Sequence, residues 1–581
     1  MSLLDTASLL LTPNAYKEGK LYSVIPSDGS GDMSVTRATT ATRVNSAGLV
    51  ELVPYNLLTY SQDFSNVIWV KNEATISSNI ATAPNGTTTA SKLIENTAND
   101  SHHIYQNATT SGVNTFSFYA KKGERTFVYA YADSVGQGKC FNLTSGTLGV
   151  NIISAPINAT IESVGNDWFR CTITVSITSA SALRIGLCSA DGTFSYLGNG
   201  TSGAYIWGGQ LVEGTLPKDY QKTETRLNIP RLDYSNGTCP SLLVEPQRTN
   251  LALYSNALST GTNVVDASTI TANFYVSPDG TQNAMQFTET TDNSRHGFYQ
   301  YTTVTAQTYT ASIFTKQTGR RYIALRSDIT GTATSSFFDL QTISVLSSGS
   351  GHTCSIQDFG NGWLRLVVTF TASAGSRYLV WCGSPDGINV VYAGSTSISQ
   401  TFYGYQLEAG SYPTSYIPTT SASVTKNRDL GPNDVFASTF NLNADFCLFQ
   451  DFECFDFSNF PVFWSGGNYA ISGDYRSYMI SYGTTNMSLF GVNEVLTAQI
   501  NSFTFATNTR YKVAVRRVGS TINWFINGVK YSNGTGTTTT TVKIRSISGA
   551  SLGGQNTMLL KEAAIWESEL TDAECIQLTT I

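Results

Sequence analysis

The chain says the same thing twice. The segment "GGQLVEGTLPKDYQKT", Gly208 to Thr223, returns as "GYQLEAGSYPTSYIPT", Gly404 to Thr419, and the pair is only the end of a longer series. "NLLTYSQDF" from Asn56 returns as "NLALYSNAL" from Asn250, and "APNGT" from Ala83 returns at the same offset as "SPDGT" from Ser277. "GNDWFRCTITV" from Gly165 matches "GNGWLRLVVTF" from Gly360, and "SADG" from Ser189 matches "SPDG" from Ser384, both one residue further on. Gln210 and Gln406 close the series after one more slip. An offset this steady defines two homologous domains, so whatever fold one copy adopts the other shares.

Each copy reads as β-structure. In "NTFSFYAKKGERTFVYAYAD" the residues Phe116 and Phe118, then Phe127, Tyr129 and Tyr131, alternate with smaller or polar ones around a Lys-Lys-Gly-Glu turn. That pattern predicts a hairpin with its aromatic face buried. The second copy, "YTASIFTKQTGRRYIALRSD", keeps the layout. Pro84-Asn85-Gly86 and Pro278-Asp279-Gly280 are turn signatures, and Trp168 and Trp363 each open a strand after a Gly-containing turn, where a core anchor is expected. About ten short strands per copy predict antiparallel jelly-roll sandwiches.

With 581 residues the chain is too long for one core, and its 12% aromatic and 13% charged content with 49 glycines suits an all-β protein of several domains. A net charge of −6 without basic runs argues against nucleic acid as a partner. No stretch has the length of a membrane span, and the start lacks a basic region and carries Asp5, unlike a signal peptide. Nine cysteines without paired spacing, among them Cys171 and Cys382 in strand-like runs, predict buried thiols and folding in a reducing cytoplasm.

From about Phe440 the pattern changes. "RYKVAVRRVGSTINWFINGVKYSNG" alternates through Val513 and Val515 and carries hairpin dipeptides at Asn527-Gly528 and Asn533-Gly534, and Thr571 with Glu574 forms a capping box ahead of one short helix. The resulting plan is multidomain and all-β: an irregular N-terminal arm (1–55), a jelly-roll sandwich (56–222), a connector (223–249), a second jelly roll (250–419), a connector (420–440) and a last β-sandwich (441–581). "SVTR" at Ser34 to Arg37 recurs as "SVTK" at Ser423 to Lys426, and Pro230, Pro240 and Pro246 sit among apolar residues, so the connectors are expected to be ordered.

"NIPRLDYSNGTCPSLLVEPQRTNL" together with "QLEAGSYPTSYIPT" resembles bacteriophage virion proteins of the fibre and appendage type, whose repeated modules are similar to carbohydrate-binding sandwiches; the resemblance covers most of residues 34–425. "FINGV", "LGG" and "AAIWESELTDAE" in that order resemble the concanavalin A-like, or laminin-G-like, lectin sandwich. The resemblances imply a protein made in the host cytoplasm and carried on the virion surface, binding host-surface glycan without cleaving it. They also imply other virion proteins as partners and a homo-oligomer, a trimer being the usual arrangement. Modules of this type often hold a structural calcium, for which no ligand is nominated; no other cofactor is implied. The alternatives are a purely structural capsid or tail decoration and a glycoside hydrolase or depolymerase.

Candidate sugar-binding residues are the aromatics of "FWSGGNYAISGDYRSY": Trp464, Tyr469, Tyr475 and Tyr478, although such residues also suit a core, Trp464 most of all. No catalytic set is expected. Asp451 and Glu453 share a strand face while Asp456 falls on the other, and the Glu-x-Asp-x-x-Glu arrangement of glucanase relatives is missing. "SDGSGD", Asp28 to Asp32, reads as a turn, and His102-His103 and His296 occupy corresponding places in the two copies. The leucines of "SLLDTASLLLTP" must be buried against something, which points to the arm as the docking segment.

Overall fold

A computed structural model describes the chain except residues 1, 111, 179, 262, 329–330, 431–433, 443–444, 458–460, 467–477, 482–483, 493–494, 502, 533–540 and 548–556. The chain is all-β and multidomain, with one α-helix, Asp572–Thr579, among the described residues. It divides into two compact units, Pro54–Arg226 and the remainder, Met1–Val53 with Leu227–Ile581.

The first unit is a sandwich of two six-stranded antiparallel sheets. One runs Thr147–Ile153, Gln137–Asn142, Phe127–Ala132, Ala180–Cys188, His103–Thr109, Val70–Asn72; the other runs Asn158–Gly165, Trp168–Ile177, Gly112–Lys121, Gly203–Glu213, Ala90–Glu95, Ala74–Ala81. The second copy, inside the other unit, repeats both strand orders, with Tyr322–Ser327 in the place of Phe127–Ala132 and Gly375–Ser384 in that of Ala180–Cys188.

One expectation is overturned in both copies. Gly112–Lys121 and Phe127–Ala132 do not pair as a hairpin: the first bonds to Trp168–Ile177 and Gly203–Glu213, the second to Gln137–Asn142 and Ala180–Cys188. The Lys-Lys-Gly-Glu turn therefore crosses from one sheet to the other. Because each strand now meets the core from its own side, Val128, Ala130 and Ala132 point inward with Phe116 and Phe118, and Phe127, Tyr129 and Tyr131 lie on the opposite face of the sheet, where Tyr129 and Tyr131 are buried in a second cluster with Cys140, Ile152 and Cys188. Trp168 and Trp363 are buried, and their indole N–H groups donate to the matching carbonyls of Thr82 and Val276, each at 3.1 Å.

In the larger unit the last sandwich has a sheet ordered Leu232–Asp233, Ser241–Val244, Met558–Trp566, Phe446–Cys454, Thr509–Val518, Thr521–Ile526, Val529–Ser532. Asn527 (φ 49°) and Gly528 (φ 80°) turn the last hairpin, as the dipeptide requires. Thr571 and Glu574 cap the helix reciprocally. The connector thus supplies two strands to a distant domain. The N-terminal leucines supply another: Leu9–Leu11 pairs with Met558–Trp566, Leu9 and Leu11 enter the core, and Leu10 packs on the opposite face with Trp566 and Cys575. Their burial is satisfied inside the chain, so it gives no reason to look for an external dock.

Arm and connectors also meet in a buried charge cluster. Asp429 accepts from Arg37 Nη1 at 2.8 Å, from Arg231 Nε at 2.7 Å and Nη2, and from the Glu245 backbone N–H at 2.9 Å. Lys426 Nζ stands 3.4 Å from both Asp429 and Glu245, and Arg231 donates to Glu245 at 2.8 Å. Arg37 and Lys426 are the last residues of the "SVTR" and "SVTK" repeat, so the repeated tetrapeptide delivers two of the three cations.

Candidate functional site

The outward tyrosines of the first sandwich stand in a cross-strand lattice. Register places Val70, Tyr105, Arg184, Tyr131 and Gly138 in one row over five strands, and Asn72, His103, Gly186, Tyr129 and Cys140 in the next. The glycines shape this face. A Cβ on Gly186 would collide with the Tyr129 ring, and one on Gly138 would come within 2.8 Å of Tyr131 Cδ2, so both rings lie flat across glycine on the neighbouring strand. Arg184 sits between Tyr105 and Tyr131, its guanidinium carbon 5.5 Å from the Tyr131 centroid, and is ion-paired with Asp133. Val70 is exposed and Tyr105 and Arg184 are half-buried, so the row is open to solvent at that end, while Tyr129 and Tyr131 at the other end are buried.

Polar capacity on this face is left unused. His103 Nδ1, Arg184 Nε and Asp133 Oδ1 are buried atoms without a hydrogen-bond partner among the described residues. Buried polar groups are normally paired, so a group of three orphans beside two tyrosines marks a place for hydroxyl groups of a ligand or water. Burial and then the nearby Arg184 charge push His103 down to about 4, so its ring is neutral near pH 7. It can then donate from one nitrogen and accept at the other.

The other histidines are structural. His102 has Nδ1 2.6 Å from the Glu73 carbonyl and Nε2 3.1 Å from that of Tyr196; His296 repeats this with Ala267 at 2.6 Å and Tyr392 at 3.2 Å. His352 lies between the hydroxyls of Ser327 and Ser336. His103, whose place in the second copy is taken by Gly297, stands apart from all three.

The corresponding face of the second sandwich is built differently. Its rows are Val264, Tyr299, Val380, Arg326, Ser335 and, alongside, Tyr301 with Tyr378. Tyr299 and Tyr301 meet edge to face at 5.7 Å, Tyr301 and Tyr378 at 6.2 Å, and Tyr301 is 59% exposed. Arg295 lies 5.9 Å over Tyr299 and donates to Asp266 at 2.7 Å.

The aromatics nominated in the last sandwich fare otherwise. Trp464 is fully buried in the core, so it offers no ring face to a sugar and is removed from the site. Tyr469 and Tyr475 lie outside the described residues, and Tyr478 opens the strand Tyr478–Ser481. The acidic cluster is occupied: Asp451 accepts from Arg510 at 2.8 and 2.5 Å, Glu453 from Asn236 at 2.6 Å and Asp456 from Ser411 at 3.3 Å. Asp28 and Asp32 are likewise engaged, by Ser30 and by Ser23. Sequence reasoning missed the real candidates because it assigned the large aromatics of "FVYAYA" to the core; the signal available was the competing alternation of Val128, Ala130 and Ala132.

No family model matches the chain, and no curated protein does. Among solved structures it shows similarity to mouse laminin alpha1 chain domains LG4-5, at 8% identity and a TM-score of 0.16 over 49% of this chain and 91% of that one. The LG1-3 region of the laminin alpha2 chain gives 9% and 0.14 over 80% and 94%, and Trypanosoma rangeli sialidase 10% and 0.20 over 93% and 96%.

Proposed function

We propose that the chain is a structural component of a phage virion, a fibre or surface appendage, that holds host-surface carbohydrate without cleaving it. The observation that carries the binding half is the outer face of the first sandwich, where half-buried Tyr105 and Arg184 stand beside polar atoms that have no hydrogen-bond partner among the described residues. The Tyr105 ring packs against the apolar side of a pyranose while Arg184 and Asp133, also half-buried, meet its hydroxyls. Binding without hydrolysis is supported by the acidic strand of the last sandwich, whose carboxylates hold Arg510, Asn236 and Ser411. The virion half rests on the connector and strand-exit motifs. Docking through the arm, as part of a homotrimer, needs residues other than Leu9–Leu11, which are buried in the last sandwich.

The test is an array of host-surface polysaccharides probed with the full chain, Tyr105→Ala and Arg184→Ala. Retention of a glycan, weakened about tenfold by either change, which is about 1.4 kcal/mol, supports the reading. Silence, or binding indifferent to both changes, refutes it. Release of reducing ends from the retained polysaccharide would favour a depolymerase instead, and labelled antibody on intact particles checks the virion setting.

A further inference from the structure

The two copies differ where their outer faces differ in charge. In the first, the central arginine, Arg184, is neutralised by Asp133 on the same face. In the second, register puts Val380 in the place of Arg184 and moves the arginine one strand over, to Arg326 in the place of Tyr131. Asp328, which corresponds to Asp133, accepts the Tyr378 backbone N–H at 2.9 Å. Arg326 is half-buried, and its guanidinium has no hydrogen-bond or ion-pair partner among the described residues. Arg295 at the next row is paired with Asp266, and Arg377 donates to the carbonyls of Ser373 and Ala374. The face thus presents, one strand from Tyr378, a guanidinium that no acceptor among the described residues takes.

We infer that this face of the second sandwich selects a sugar bearing a carboxylate, with Arg326 as the residue that reads the charge and Tyr301 and Tyr378 as the surface against which the ring lies. The inference rests on the glycan-binding reading of these faces and adds the class of sugar. An arginine fork matches a carboxylate with two parallel N–H donors, and such charge-assisted bonds are stronger than bonds between neutral groups. The apolar edge at Val264, 42% exposed, and Tyr301, 59% exposed, suits the hydrocarbon face of the same ring. In the first sandwich the arginine is ion-paired with Asp133, so that face takes neutral units.

The probe is an oligogalacturonate and its methyl ester, which keeps the rings and linkages while removing the charge. Titration of the full chain should give binding of the acid that is weakened about tenfold or more by esterification, by Arg326→Gln and by raised salt, while Arg326→Lys retains part of it. Tyr301→Ala should weaken the acid as well. Equal binding of acid and ester, or an acid affinity indifferent to Arg326→Gln, overturns the inference. The outcomes separate the two ideas: if neutral glycans still bind and Tyr301→Ala weakens them, only the charge preference falls, whereas if no glycan binds at all, the reading on which it rests falls with it. The ester comparison needs no variant, so a folding defect in one cannot shelter the idea.

Discussion

Replacing Asp429 by Asn should unfasten the larger unit while leaving the unit Pro54–Arg226 alone. Asp429 is 3% exposed and takes hydrogen bonds from Arg37, Arg231 and the Glu245 backbone, with Lys426 at 3.4 Å. The exchange leaves three buried cations, Arg37, Arg231 and Lys426, facing the single carboxylate of Glu245. Breaking a buried ion pair by removing one partner costs about 3–5 kcal/mol, because the remaining charge stays desolvated. That is a large part of the roughly 5–15 kcal/mol that holds a typical domain. Scanning calorimetry, with hydrogen exchange to assign each transition, should show the larger unit melting earlier and the smaller one unmoved. The same cluster fixes the acid response. Burial alone would raise Asp429, but Arg231, Lys426 and Arg37 together hold it well below the ordinary range, and Glu245 is held low by Arg231 and Lys426 against its own burial. Their contribution is therefore complete above the unfolded carboxylate range, near pH 4, and is lost as pH falls below it through the folded values. A cost under about 1 kcal/mol, the range of an exposed pair, would refute the claim that this cluster joins arm and connectors.

Other consequences are as direct. Deleting residues 1–11 removes a strand from the last sandwich and uncovers Trp566, so the larger unit should lose stability by calorimetry; an unchanged transition would mean that the arm is a free tail. His103 and His352 are both pushed down to about 4 by burial, so their contributions are full above the ordinary histidine value of about 6.5 and drain as pH falls from there to 4; each unit should soften over that window, and His103→Gln should flatten the dependence of the smaller one. Thr571→Ala removes the helix cap and should cost about 1 kcal/mol in urea unfolding, with Thr571→Asp largely restoring it.

What could be read from sequence was what is local. Turn and cap chemistry identifies itself: Asn527-Gly528 forms its hairpin, and Thr571 with Glu574 forms its box, because each is decided within a few residues. The repeat transfers strand order between copies without revealing it. The crossover after Lys121 is not legible in the sequence, because a short turn can join neighbours in one sheet or cross to the other and alternation is the same in both cases. A hairpin reading hides the candidate face, since it turns Tyr129 and Tyr131 toward the core in place of Val128 and Ala130. The pairing of Leu9–Leu11 and Ser241–Val244 with Met558–Trp566 was out of reach for a different reason: nothing in a short apolar run names a partner so distant in the chain. Trp464 illustrates the converse, an aromatic in a loop-like setting that belongs to a core strand.

The claim that the first sandwich holds glycan through its outer face is tested most directly by hydrogen exchange on the full chain, with and without the polysaccharide retained on the array. Slowed exchange is expected in the strands His103–Thr109, Phe127–Ala132 and Ala180–Cys188, which carry Tyr105, Tyr131 and Arg184, with loss of that protection in Arg184→Ala. Protection confined to the last sandwich, or unchanged by Arg184→Ala, would contradict it.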